Sequence, residues 1–109
     1  MNKVELIGRT TKDVNVETKN GIKYAKLTVA VDEGKDRTTF VPVSAFGRVA
    51  EGLESYVGKG SLIAVSGRVN VSHIDDRLYV NIVASRIEYL ATKKPGVSNE
   101  PPVQKDIPF

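Results

Sequence analysis

Cysteine is absent from the 109 residues, which excludes disulfide staples and thiolate metal sites. A single histidine, His73, leaves no imidazole cluster for zinc or iron, so no metal and no other cofactor is expected. Long hydrophobic runs are missing as well. Nothing approaches the ~18 apolar residues of a membrane span. The opening MNKVELIGRTTKD is charged by Lys3 and has no apolar stretch of signal-peptide length. The expectation is a soluble, cytoplasmic protein with no membrane partner. Catalytic patterns are scarce too. His73 lies beside Asp75 and Asp76, but neighbours on one hairpin tip do not make a triad. Gly58-Lys59-Gly60 lacks the third glycine and the Lys-Ser/Thr of a phosphate loop. No catalytic residue is nominated, and an enzyme is not expected.

What the chain does have is 40% hydrophobic residues, enough for one small core. A chain of this size buries only about 60–65% of its unfolded surface, so association of subunits would help it. Sixteen Lys and Arg against thirteen Asp and Glu give a net charge of +3. A mild basic excess permits a polyanion partner without demanding one. The decisive point is whether the positive charge gathers on one face.

Composition changes near Ala91. Pro95, Pro101, Pro102 and Pro108 lie beyond it with Asn, Ser, Gln and Lys, and no amphipathic period survives. A folded domain over 1–91 and a disordered, flexible tail over 92–109 are expected.

Inside the domain the dominant period is two. Runs rich in β-branched residues cover 3–9, 22–31, 38–45, 61–71 and 77–90. Asn20-Gly21, joining the first and second runs, is a strong hairpin signal, and Asp75-Asp76 marks a second hairpin tip. One helix is expected over 48–56, with Val49, Leu53 and Tyr56 on one side and Gly58 and Gly60 ending it. The fold class is therefore all-β. Five strands with a short helix between the third and fourth is the layout of an OB-fold, a Greek-key barrel. SH3-like barrels also have five strands; the helix position decides between them.

Alternation assigns the faces. In the third strand Val41, Val43 and Ala45 take the core side, which turns Phe40, Pro42, Ser44 and Phe46 outward. The fourth strand points Ile63, Val65, Val69 and Val71 inward, and Ala64, Ser66, Arg68, Asn70 and Ser72 outward. The second points Leu27, Val29 and Val31 inward; the fifth, Leu78, Val80 and Ile82, with a phase slip near Val83 that suggests a bulge. The outward set offers the rings of Tyr24, Phe40, Phe46 and Tyr79, interleaved with Lys26, Arg68 and Arg77. Arg48 follows directly on Phe46-Gly47. Rings flanked by cations suit single-stranded nucleic acid, whose bases stack while Lys and Arg track phosphates. Duplex reading would want a helix rich in Arg, Asn or Gln, and RVAEGLESY is not one. Tyr56 and Tyr89 read as packing residues.

Several segments together resemble the bacterial-type single-stranded DNA-binding protein family. The opening Met-Asn-Lys-Val-Glu-Leu-Ile-Gly-Arg is similar to its first strand. Phe40-Val-Pro-Val-Ser-Ala-Phe46-Gly47-Arg48-Val-Ala-Glu51 is similar to its third strand and helix start. Val57-Gly-Lys59-Gly60-Ser61 and Gly67-Arg68-Val69 follow in the right order, and Ile107-Pro108-Phe109 resembles the C-terminal tip. The resemblance covers residues 2–90 and that tip. It implies an OB-fold, usually a homotetramer, that wraps single-stranded DNA without sequence preference in replication, recombination and repair. It also implies that Phe40 and Phe46 stack bases and that Arg48 and Lys59 contact phosphates. A tip of Asp106, Ile107, Pro108 and Phe109 would recruit replication and repair proteins, and the location would be with the nucleoid. The chain departs from the family in having no tryptophan, with Phe40 at one such position and Ile74 at another. Its 32–37 loop is short, and only Asp106 precedes the tip where the family has a run of acids. A short, weakly acidic tail suits a phage-encoded or accessory member. Two rival readings stay open, a primosomal-type OB assembly module and an RNA-binding OB domain. The first would use the outward Phe rings as a dimer surface; the second usually carries denser aromatic motifs on the second and third strands.

Overall fold

The computed structural model of the protein describes residues 1–92. The 93–109 part of the expected tail, including the tip at 106–109, lies outside the described residues. The elements are β1 (Val4–Thr10), β2 (Asn15–Lys19), β3 (Ile22–Asp32), β4 (Thr38–Phe46), α1 (Arg48–Tyr56), β5 (Leu62–Ile74) and β6 (Arg77–Ala91).

The strands form one sheet in the order β1-β5-β6-β4-β3-β2, and a further β1–β3 pairing closes it into a barrel. Closure rests on two short contacts. Arg9 and Thr10 pair with Ala30 and Val29 of β3, and Val43 and Ser44 pair in parallel with Ile82 and Val83 of β6. This is the five-stranded OB-fold with its first strand in two pieces. Both β1 and β2 run antiparallel to β3, and four residues (11–14) bridge a gap that β3 spans with Leu27 and Thr28. The sequence reading had no strand at Asn15–Lys19, so Asn20-Gly21 joins β2 to β3 and not the first run to the second. Asn20 and Gly21 have φ of 52° and 80°, the two positive values that a two-residue I′ hairpin needs. Asp75 and Asp76 do the same between β5 and β6, at 50° and 65°.

The inward residues behave as alternation requires over the barrel proper. Ala25, Val29, Val43, Ala45, Ile63, Val65, Ile82 and Ala84 are buried, and Leu53 of α1 is fully enclosed among them. Burial of each large aliphatic side chain contributes about 1.5–3 kcal/mol. The helix packs on β2, β3, β4 and β6. It ends where Val57 turns to extended backbone, one residue ahead of the glycines expected to stop it. Tyr89, buried on β6, meets Tyr56 of the helix with ring centroids 5.5 Å apart. The expected phase slip is a bulge: Ser66 pairs with Arg86 and Gly67 with Ala84, leaving Ser85 extra.

Three inward assignments are corrected. Val71, Leu78 and Val80 are 52%, 63% and 52% exposed. With 13 and 15 residues, β5 and β6 outrun the barrel and continue as a two-stranded arm, where no opposite wall covers their aliphatic side. In the other direction, Ser44 has the outward parity yet is buried, because β6 crosses beside it.

Candidate nucleic-acid interface

Tyr24 of β3 and Phe46 of β4 are directly opposed in register. Their rings stack at 5.0 Å between centroids and 30° between planes, an offset pairing that suits aromatic quadrupoles. Lys19 Nζ lies 5.6 Å and Lys26 Nζ 5.8 Å from the Tyr24 centroid, within cation–π range. Phe46 keeps 48% of its surface exposed. The chain then turns sharply at Gly47, with φ 62° and ψ −131°, a conformation that only glycine adopts without strain. Gly47 N–H donates to Lys23 O at 2.9 Å, and Gly47 O accepts from Glu51 N–H at 3.0 Å. That corner places Arg48, exposed, at the first turn of α1, two residues after Phe46. Lys23 also pairs with Glu54 of the helix at 2.5 Å, and the carboxylate raises the lysine's pKa above its usual value.

A groove of about 730 Å³ runs between this barrel face and the arm. Tyr24, Lys26, Pro42 and Ser44 line one wall; Ile74, Tyr79 and Asn81 line the other. Tyr79 is half exposed, and Arg77 shares its side of β6 two residues away. Arg68 lies on β5 on the same side as Asn70, nearer the barrel. Phe40, 63% exposed, shares the Phe46 side of β4, but it lies six steps back along the strand, about 20 Å away. Lys59 sits in a turn rather than on a strand. Its backbone N–H donates to Asp13 Oδ1 at 2.8 Å, and Asp13 lines the groove. Thr10 anchors that turn: its hydroxyl donates to Gly58 O at 2.7 Å and accepts from Ser61 N–H at 3.0 Å.

The structure therefore brings Tyr24, Lys26 and Tyr79 to one groove, while Phe46 lines a neighbouring hollow with Lys19, Tyr24 and Lys26; Tyr24 and Lys26 are common to both. It sets Phe40 apart at the far end of β4, and neither Arg68 nor Lys59 lines the groove. Among the described residues the ion pairs are Lys3–Glu5, Lys23–Glu54 and Arg86–Glu88, so Lys26, Arg48, Lys59, Arg68 and Arg77 carry unneutralised charge. His73 pairs with Leu78 on the opposite side of the arm from Tyr79, away from this groove. The residue reading missed Lys19 and Asn81. Lys19 lies on β2, which alternation does not reveal, and Asn81 shares the parity of Tyr79 but has neither ring nor charge to single it out. No group of His, Cys, Asp or Glu that could hold a metal occurs among the described residues.

Fold and groove together define an OB-fold module that presents aromatic rings and uncompensated cations on one open face. The family model described as single-strand binding protein family matches residues 1–90. The chain belongs to this family. Single-stranded DNA-binding protein 1 of Clostridium acetobutylicum is 34% identical over 110 residues, covering 89% of this chain and all of that protein. Single-stranded DNA-binding protein 2 of the same organism is 36% identical over 123 residues, 98% of this chain and 92% of the relative. Among solved structures, a deletion mutant of the single-stranded DNA binding protein from Thermus aquaticus superposes with a TM-score of 0.73 at 29% identity. That match takes in 90% of this chain and 45% of the Thermus chain, so the present protein spans less than half of that neighbour. No helix among the described residues is long and apolar enough to cross a membrane.

Proposed function

We propose that this protein binds single-stranded DNA without sequence preference and has no catalytic activity. The observation that carries the reading is the stacked Tyr24–Phe46 pair with Lys19 and Lys26 beside the Tyr24 ring, where Tyr24 and Lys26 continue into a groove whose other wall holds Tyr79. Exposed rings offer every base a face to stack on, at about 1–3 kcal/mol per base, while free cations follow the phosphates. Phe46 and Tyr79 stack bases in this reading, Tyr24 backs Phe46, and Phe40 takes a base further along the strand. Lys26, Arg48, Lys59, Arg68 and Arg77 contact phosphates. The names of the Clostridium and Thermus relatives support the same ligand.

The proposed role is protection of exposed strands during replication, recombination and repair. Residues 1–91 act as the binding domain; residues 92–109 act as a tail whose Asp106, Ile107, Pro108 and Phe109 engage replication and repair proteins. We place the protein in the cytoplasm with the nucleoid and propose a homotetramer. Support for self-association comes from β1, which pairs with β3 only through Arg9 and Thr10 and so keeps an open edge from Val4 to Gly8. Ile7 on that strand is 59% exposed. An open edge of this kind invites pairing with a second copy.

The test is a fluorescence-anisotropy titration of labelled oligo-dT against a duplex of equal length, at two salt concentrations. The expected result is a strong preference for the single strand, with affinity falling by about 0.7 log units per log unit of salt for each phosphate neutralised. Equal affinity for both, or no binding near physiological salt, would reassign Phe40 and Phe46 to a protein interface and favour an assembly module.

A further inference from the structure

Three uncharged side chains, two of which line the groove, form one hydrogen-bonded row. Asn81 Nδ2 on β6 donates to Ser44 Oγ on β4 at 2.8 Å, and Asn81 Oδ1 accepts from Asn70 Nδ2 on β5 at 3.2 Å. Asn81 is half-buried and lines the groove with Ser44, on the same side of β6 as Tyr79. A carboxamide has two N–H donors and two acceptor lone pairs. The row uses one of each, so Asn81 retains one donor and one acceptor, held in a fixed orientation between two strands. The row carries no charge, which makes it a poor phosphate site and a suitable partner for a base.

Every nucleobase has a donor next to an acceptor on its Watson–Crick edge: N3–H beside O4 in thymine, N1–H beside O6 in guanine, N6–H beside N1 in adenine, N4–H beside N3 in cytosine. An amide with one donor and one acceptor complements all four. In a duplex those same atoms are committed to the opposite strand. We propose that Asn81 bonds the Watson–Crick edge of a base lying in the groove, and is thereby a specificity-determining residue that selects unpaired strands whatever their sequence. This rests on the single-stranded DNA reading above and adds to stacking a contact that a paired base cannot make.

The experiment compares binding of oligo-dT with an equal-length oligomer of N3-methylthymidine, which keeps the ring for stacking and loses the N3–H donor. Wild-type protein is expected to bind the methylated oligomer about three- to tenfold more weakly, the factor of one net hydrogen bond. Asn81→Ala is expected to lose a similar factor on oligo-dT and to bind the two oligomers alike. Equal wild-type affinity for both overturns the proposal while leaving single-strand binding intact. Discrimination that persists in folded Asn81→Ala overturns it as well. If Asn81→Ala does not fold, the wild-type comparison decides alone. Wild-type protein that binds neither oligomer removes the single-strand reading and this one with it.

Discussion

Phe46 rests on Tyr24 across the β3–β4 ladder, 5.0 Å from centroid to centroid, so one face of the exposed ring is already occupied by protein. The remaining face is open, and in the proposed reading it is the face on which a base stacks, with Tyr24 setting its tilt. Phe46→Ala is therefore expected to weaken oligo-dT binding by about 1–3 kcal/mol with the fold intact. Tyr24→Ala should lose part of the same energy by loosening Phe46. The double variant should then fall short of additivity by about 0.5–1.5 kcal/mol, as measured by anisotropy in a double-mutant cycle. Strict additivity would mean that the two rings act separately.

Lys59 is carried by a turn that Thr10 and Asp13 hold to the barrel. Its side chain is exposed and makes no ion pair among the described residues. Lys59→Ala is expected to lower the salt slope of oligo-dT binding by about 0.7, the value for one phosphate contact on a single strand. An unchanged slope would remove Lys59 from the interface.

Gly52 of α1 faces the Tyr89 hydroxyl so closely that an added Cβ would overlap it. Alanine in a helix interior ordinarily gains about 1 kcal/mol over glycine. Here Gly52→Ala is expected to destabilise by about 1–3 kcal/mol, through overpacking of a ring enclosed by β6 and the helix. Urea denaturation should also show that Tyr89→Phe relieves much of that penalty. A stabilising Gly52→Ala would contradict the close packing.

Alkali should unfold the protein for two reasons of the same sign. Burial, and secondarily the nearby Tyr56, push the Tyr89 hydroxyl from 10.0 up to about 12. The hydrogen bond to Glu54 raises Lys23 above 10.5. In each case the folded group holds its proton more tightly than the unfolded one, so stability is complete below about pH 10. It is lost as pH climbs through the folded-state values. Thermal melts should show a Tm falling from pH 10 to 12, with a shallower fall in Tyr89→Phe.

How legible this was in the sequence depended on what each signal encodes. The Asn20-Gly21 turn and the helix over 48–56 were readable because they rest on local chemistry, positive φ in one case and apolar spacing in the other. β2 was not, since Asn15-Val-Glu-Thr-Lys has one half-buried aliphatic residue and no alternation to detect. Strand parity correctly paired Phe40 with Phe46 and Tyr24 with Lys26. It failed at Val71, Leu78 and Val80, because parity tells which residues share a side and not where the opposing wall stops. The stacking of Tyr24 on Phe46 needed the register between strands, which no single strand contains.

The arm has a mechanical consequence. Leu78 and Val80 project from one side of the same strand that projects Arg77, Tyr79 and Asn81 from the other, at alternate residues along a single backbone. The two sides cannot be moved independently. Whatever braces the aliphatic side limits the sway of the wall that holds Tyr79, so a contact on one side of the arm is felt on the other.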